Sequence, residues 1–275
     1  FIGAEGTLGV ITAAVLKLFP APKSKVTAMA AMADIHSVQE LYGRCRAVSE
    51  DRLTAFEMLP GPGLQLCVKH FDDAADPFAE VHAYHALIEL TSPRADDELR
   101  PCLEEILAEA LEEGLIDDAV FAESEGQTAR LWAFRERLPE TQALEGGSIK
   151  HDVAVPVSKT ADFIAEAIRR VEAQMPGARV FPFGHMGDGN IHCNVSQPVG
   201  ADAEDFYARR AEINRTVHDL VAEMKGSISA EHGIGLLRRD ELEHYAAGLK
   251  LEIMRKIKGA LDPRGIMNPG KVVRM

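Results

Sequence analysis

The segment FGHMGDGNIHCNV, residues 183–195, restricts the fold more than any other stretch of the chain. Arg179–Phe183 and Asn190–Ser196 read as strands, and the turn between them contains Gly187, Asp188 and Gly189. Strands joined by so short a turn pair antiparallel. Along the second strand Ile191, Cys193 and Val195 alternate with His192 and Asn194. A period of two puts the apolar three on one face and the polar pair on the other.

The rest of the chain extends this pattern. Strands are expected at residues 26–34, 53–58, 64–70, 83–90 and 149–155. Another is expected after the glycines of residues 1–20, and a short one at 227–230. Helices are expected at 37–49, 95–113, 125–143, 159–174, 203–225 and 248–260. The clearest is 95–113, where Leu99, Leu103, Ile106, Leu107, Ala110 and Leu111 repeat at helical spacing and Gly114 ends the run. Hairpin-like pairs with irregularly interspersed helices predict an α+β layer, an antiparallel sheet with helices on one face.

Composition excludes several classes. A net charge of -13 argues against a nucleic-acid partner, which needs a basic face. No apolar run reaches the roughly 18 residues of a membrane helix. Cys45, Cys67, Cys102 and Cys193 form no CxxC pair and read as reduced, structural thiols. The chain opens at Phe1, inside a β-like run and without a signal peptide, which suggests a fragment. Its localisation is expected to be cytoplasmic.

Five segments have the residue types of a reactive site. His185 and His192, separated by six residues across the glycine turn, suit a borderline divalent metal. The plain alternative is a turn with two hydrogen-bonded histidines. In SAEHGIG, residues 229–235, Glu231 and His232 stand before Gly233 and Gly235. A carboxylate there would complete a His-His-carboxylate set with open positions. In LWAFRERLPETQALEGGSIKHDVAVPV, residues 131–157, Arg135 and Lys150 offer cations to a carboxylate substrate, unless they are only solvated charges. In the expected strand Ile149, His151, Val153 and Val155 share one face, and Lys150 and Asp152 the other. Gly3, Gly6 and Gly9 permit close backbone approach to a ligand, although their spacing is not the GxGxxG fingerprint. In DPRGIMNPGK, residues 262–271, Asn268 and Lys271 are polar groups on a rigid tail.

Taken in order, the five segments resemble the FAD-linked oxidases of the vanillyl-alcohol-oxidase type. The likeness is to the subgroup that oxidises D-2-hydroxyglutarate, D-lactate or glycolate, and it covers nearly the whole chain. The resemblance implies that residues 1–20 are the end of an FAD-binding domain. It implies that residues 21–275 are a substrate and metal domain on an elaborated ferredoxin-like sheet, with the tail 262–275 returning to the flavin. His185, His192 and Glu231 match the ligands of a divalent metal, usually zinc, and His232 matches the base for the substrate hydroxyl. Arg135 and Lys150 match the carboxylate-binding positions, and Asn194 matches another substrate contact. Gly3, Glu5, Gly6, Gly9 and Ile11 match the edge of the flavin site, and Asn268 a residue near the isoalloxazine.

One departure stands out: where hydroxyglutarate enzymes carry a threonine four residues after the arginine, this chain has Pro139. Two cations favour a dicarboxylate such as D-2-hydroxyglutarate or D-malate over lactate. The expected partners are a 2-hydroxy acid and an electron acceptor, either a carrier protein or a quinone, with a homodimer left open. Without the flavin's main cradle the chain alone is expected to be inactive. The competing reading is a flavin-independent metal-binding or regulatory module, or a metal hydrolase using His185, His192 and Glu231. The glycines at 3–9 and the tail at 262–271 have no task in a hydrolase.

Overall fold

The computed structural model describes residues 1–96 and 98–275. It divides into two compact units, Pro20–Gly226 and the combination of Phe1–Phe19 with Ser227–Met275.

The larger unit is built on an eight-stranded sheet. Its strands are β1 (Ser24–Met32), β2 (Leu53–Pro60), β3 (Tyr84–Ser92), β4 (Asp118–Phe121), β5 (Ser148–Ile149), β6 (Asp152–Ala154), β7 (Arg179–His185) and β8 (Asn190–Ser196). They run in the order β4-β1-β3-β2-β7-β8-β5, with β6 also on β8, and every pairing is antiparallel. The helices are α1 (Ile35–Ser49), α2 (Gly61–His70), α3 (Leu99–Glu112), α4 (Glu125–Leu144), α5 (Thr160–Gln174), α6 (Ala203–Ala208) and α7 (Arg210–Glu223). The α+β class and antiparallel sheet expected from the sequence are both present.

Helices cover both faces of this sheet, not one. In β1 every residue from Val26 to Met32 is buried, so neither side of the strand meets solvent. On one face Met29, Leu59, Leu87 and Phe183 pack with Leu64 and Cys67 of α2 and Leu131, Phe134 and Leu138 of α4. Each such side chain contributes roughly 1.5–3 kcal/mol on leaving water. On the other face the ring of Tyr42 in α1 meets Phe56 edge-on at 5.3 Å.

Several elements differ from expectation. Residues 64–70 belong to helix α2, not a strand. Pro62 in the first turn is preorganised for a helix, and Leu64 and Cys67, three apart, share its buried side. The expected strand at 149–155 is interrupted between β5 and β6. The expected helix at 203–225 breaks at Arg209, whose amide bonds back to Phe206 in a terminal turn. No strand forms over residues 9–22, which find no neighbouring strand among the described residues. Residues 227–230 form no strand element either, and β4 was not foreseen.

The smaller unit contains α8 (Arg239–Tyr245), also unforeseen, and α9 (Leu249–Leu261). Its core is Leu242, Ala246, Leu251, Val272 and Val273, with Ile234 and Met254 against it.

Candidate functional site

A lone charge in an apolar strand organises the site of the larger unit. Glu57 is the only charged residue of β2, and its side chain is 5% exposed. It lies opposite His185 in the β2–β7 ladder. One carboxylate oxygen, Oε1, accepts a short hydrogen bond from His185 Nδ1. The other, Oε2, accepts from Arg135 Nε at 2.7 Å. Burial pushes the Glu57 pKa up, but the His185 hydrogen bond and the Arg135 charge outweigh it, and the net shift is downward. The same hydrogen bond raises the His185 pKa against the opposing effect of burial. Both shifts describe an ionised carboxylate holding two cationic or donor groups.

Around this pivot the sheet face is continuous. Phe183 pairs with His192 across the hairpin, and their rings stack with centroids 4.9 Å apart. The Arg135 guanidinium lies over the same Phe183 ring at 4.9 Å. Its two Nη atoms make no hydrogen bond among the described residues. Asp152, 1% exposed, pairs with His192 from β6. Asn194 is buried, and its Nδ2 donates to Gln142 Oε1 on α4 at 2.8 Å.

The hairpin depends on one glycine. Gly184 has φ +149°, and a Cβ there would sit 2.3 Å from the Asn190 carbonyl oxygen. Only the absence of a side chain lets β7 and β8 approach at this point. As expected, His192 and Asn194 oppose the buried Ile191, Cys193 and Val195. His185 belongs to the end of β7 and not to the turn. Asp152, placed with Lys150 by simple alternation, is buried while Lys150 is exposed, because the strand is interrupted at residues 150–151. Lys150 forms no ion pair among the described residues. Pro139 lies inside α4 and has no N–H, so the Arg135 carbonyl lacks its helical donor.

The donor set of this unit suits a divalent ion. Two imidazoles come from one hairpin, and His185 has its Nδ1 fixed by a buried carboxylate. That leaves Nε2 as the lone-pair nitrogen of the neutral ring, the orientation a carboxylate commonly gives a ligating histidine. The sequence reading missed Glu57 and Asp152. Glu57 had a visible signal: it interrupts the apolar run LTAFEML at a core position.

The smaller unit gathers the residues that the resemblance linked to flavin. Glu5, at φ +52°, turns its carboxylate onto the segment after His232. Oε1 accepts from Ile234 N at 2.7 Å and Oε2 from Gly235 N at 2.8 Å. A Cβ on Gly233, φ +77°, would meet the Glu5 carboxyl carbon at 2.8 Å. Asn268 Nδ2 donates to the Glu5 backbone oxygen at 2.6 Å. Buried Lys258 donates to Thr7 O and Met267 O, each at 2.7 Å, and to Asp262. That hydrogen bond holds the Asp262 carboxyl down at about 2. Gly6, Gly9, Ile11 and Asn268 line an open hollow of about 470 Å³. Gly3 is exposed, with φ +79°, and does not line it. Glu231 and His232 are adjacent and half-exposed, with Oε1 and Nε2 3.8 Å apart.

This fold and these segments define a flavoprotein class. Residues 21–272 match the family "FAD linked oxidases, C-terminal domain", and the chain belongs to it. Over 99% of its length it is 34% identical to the D-2-hydroxyglutarate dehydrogenase of Stutzerimonas stutzeri (strain A1501), of which it covers 57%. It is 33% identical to the mitochondrial D-2-hydroxyglutarate dehydrogenase of Danio rerio, over 99% of this chain and 49% of that protein. The chain thus spans about half the length of the curated relatives it matches. Among solved structures, p-cresol methylhydroxylase with substrate bound aligns at a TM-score of 0.63 and 12% identity, over 91% of this chain and 53% of that one. The 4-ethylphenol oxidase from Gulosibacter chungangensis aligns at 0.59 and 18%, over 94% and 55%. These two share the fold. The resemblance read from the five motifs is therefore confirmed at the level of family. Among the described residues no helix is long and apolar enough to cross a membrane.

Proposed function

We propose that this chain is the substrate-binding part of an FAD-dependent dehydrogenase of D-2-hydroxy acids, with a dicarboxylate such as D-2-hydroxyglutarate or D-malate as substrate. The observation that carries the reading is the shared carboxylate of Glu57, which holds Arg135 and His185 side by side on one sheet face. Arg135, fixed through Nε, keeps its Nη edge for a substrate carboxylate. His185 and His192 hold a divalent metal, most simply zinc, and Glu231 and His232 keep the roles implied by the resemblance, ligand and proton acceptor. Lys150 and Asn194 remain candidate substrate contacts.

A bound flavin would supply the electron sink, and a bound divalent ion positive charge beside the substrate hydroxyl. This chain's residues bind the acid, orient it and accept its hydroxyl proton. Residues 1–20 serve the flavin edge and residues 21–275 the substrate and metal, and the electrons leave to a carrier protein or quinone. The names of both relatives above support the substrate class.

The test uses dye reduction by the enzyme that contains this chain, wild type against Arg135→Met. KM for D-2-hydroxyglutarate should rise by about 100-fold. A kcat/KM unchanged within a factor of two would overturn the substrate assignment. Metal analysis of wild type, His185→Ala and His192→Ala completes the test. About one ion per chain, lost in both variants, is expected, and an undiminished metal content in the variants would refute the ligand assignment.

A further inference from the structure

The flank of α4 away from Glu57 borders a cavity of about 320 Å³. That volume lies at the lower end of the range of small-molecule sites, roughly 300–1,000 Å³. Its walls are largely carbon: Ala74, Pro77, Val120, Ala122, Leu131 and Phe134. The segment that closes one side is fixed in place. Asp73 grips Arg137 through two hydrogen bonds of 2.7 and 2.8 Å, and the Arg137 guanidinium lies 4.5 Å over the Phe71 ring. Asp76 accepts from Phe78 N at 3.0 Å and from the Gln65 side chain.

These contacts decide which polar groups a ligand would meet. Asp73 is neutralised by Arg137, and each oxygen of Asp76 already accepts one hydrogen bond from a neutral donor. The carbonyl oxygen of the Gln127 side chain is also taken, by Glu123 N. Cys67 is buried, and its thiol pKa is pushed up to about 11, chiefly by desolvation, so it stays a neutral wall. Donors remain in the lining, among them the Gln127 amide nitrogen and the exposed Arg130 guanidinium, which has no ion pair among the described residues. A carbon-lined cavity bordered by a guanidinium without an ion pair among the described residues suits an anion with an apolar body.

The geometry points to a second ligand site here, for a small amphipathic monocarboxylate, its apolar body inside the cavity and its carboxylate on Arg130. None of Glu57, Arg135, His185 or His192 lines it. Two of its walls, Leu131 and Phe134, belong to the helix that carries Arg135, so an occupant bears directly on that helix.

The test is titration of the purified protein with 4-phenylbutyrate and with its neutral amide, followed calorimetrically. The acid should bind saturably and at least about fivefold tighter than the amide. Arg130→Gln, a change on an exposed position, should weaken the acid by about tenfold and leave the amide within twofold. Ala133 also lines the cavity, and Ala133→Phe, which fills it, should abolish both while the far-UV circular dichroism stays that of the wild type. The proposal is overturned by no saturable binding of the acid up to 10 mM, by equal binding of acid and amide, or by binding that survives Ala133→Phe.

Discussion

Lys258 donates to the backbone oxygen of Thr7 at 2.7 Å, across 251 residues of sequence. Its ammonium is 4% exposed and also serves Met267 O and Asp262, so one buried charge ties the first residues of the chain to the tail after α9. Lys258→Met removes the cation and leaves the Asp262 carboxylate with only the Ile266 and Met267 amides. The expected cost is about 3 kcal/mol, as for other buried pairs that lose one partner. It should appear as faster hydrogen exchange at Ile266 and Met267, and unchanged exchange there would contradict the role.

Glu57→Ala should destabilise the larger unit by about 3 kcal/mol, because two donors lose their shared buried acceptor. Glu57→Gln should cost less. Its carbonyl oxygen still accepts from His185, while its amide nitrogen faces the Arg135 donor. Urea unfolding of both variants tests the ranking Ala worse than Gln, and a reversed order would mean that the clash of the Gln amide nitrogen with the Arg135 donor outweighs the acceptor kept for His185.

His85 gives a pH dependence with a defined sign. It is 1% exposed, neither ring nitrogen has a hydrogen-bond partner among the described residues, and it stacks on Phe78 at 5.4 Å. Burial pushes its pKa down to about 4. The folded state therefore keeps the ring neutral, while the unfolded chain takes a proton below about pH 6.5. Stability from this group is complete above pH 6.5 and declines as pH falls to about 4, by roughly 3 kcal/mol in all. His85→Phe should flatten that decline, read from urea midpoints between pH 4.5 and 7. Asp262 and Glu145, each held near 2 chiefly by hydrogen bonds from cations, act only below the ordinary carboxylate range and leave this window clear.

Gly184→Ala forces a Cβ against the Asn190 carbonyl. Backbone on both sides leaves nothing flexible to yield, so a loss above about 3 kcal/mol is expected. The variant should lose the ring-stacking shift of the His192 protons in NMR spectra. A native His192 signal would show that the hairpin accommodates the methyl.

The sheet and most helices were legible because their apolar periods are strong. Leu99 to Leu111 marked α3, and Ile191, Cys193 and Val195 marked the buried side of β8. The run Leu64–His70 misled because a short apolar stretch has no decisive period. β4 is four residues of mixed burial and has no pattern to find. For the site, His185, His192 and Arg135 were recognisable by type and spacing. Their common partner was not, since Glu57 lies 128 residues from His185 and only the β2–β7 pairing joins them. Lys150 and Asp152 were sorted by alternation, which fails where a strand is interrupted.

Pro139 divides α4 mechanically. The half before it presents Arg135, and the half after it presents Gln142, which restrains Asn194. With the hydrogen bond between residues 135 and 139 missing, bending at that joint costs less than elsewhere along the rod. Arg135 is thus carried one turn from the joint, while Gln142 grips β8 from the other side of it.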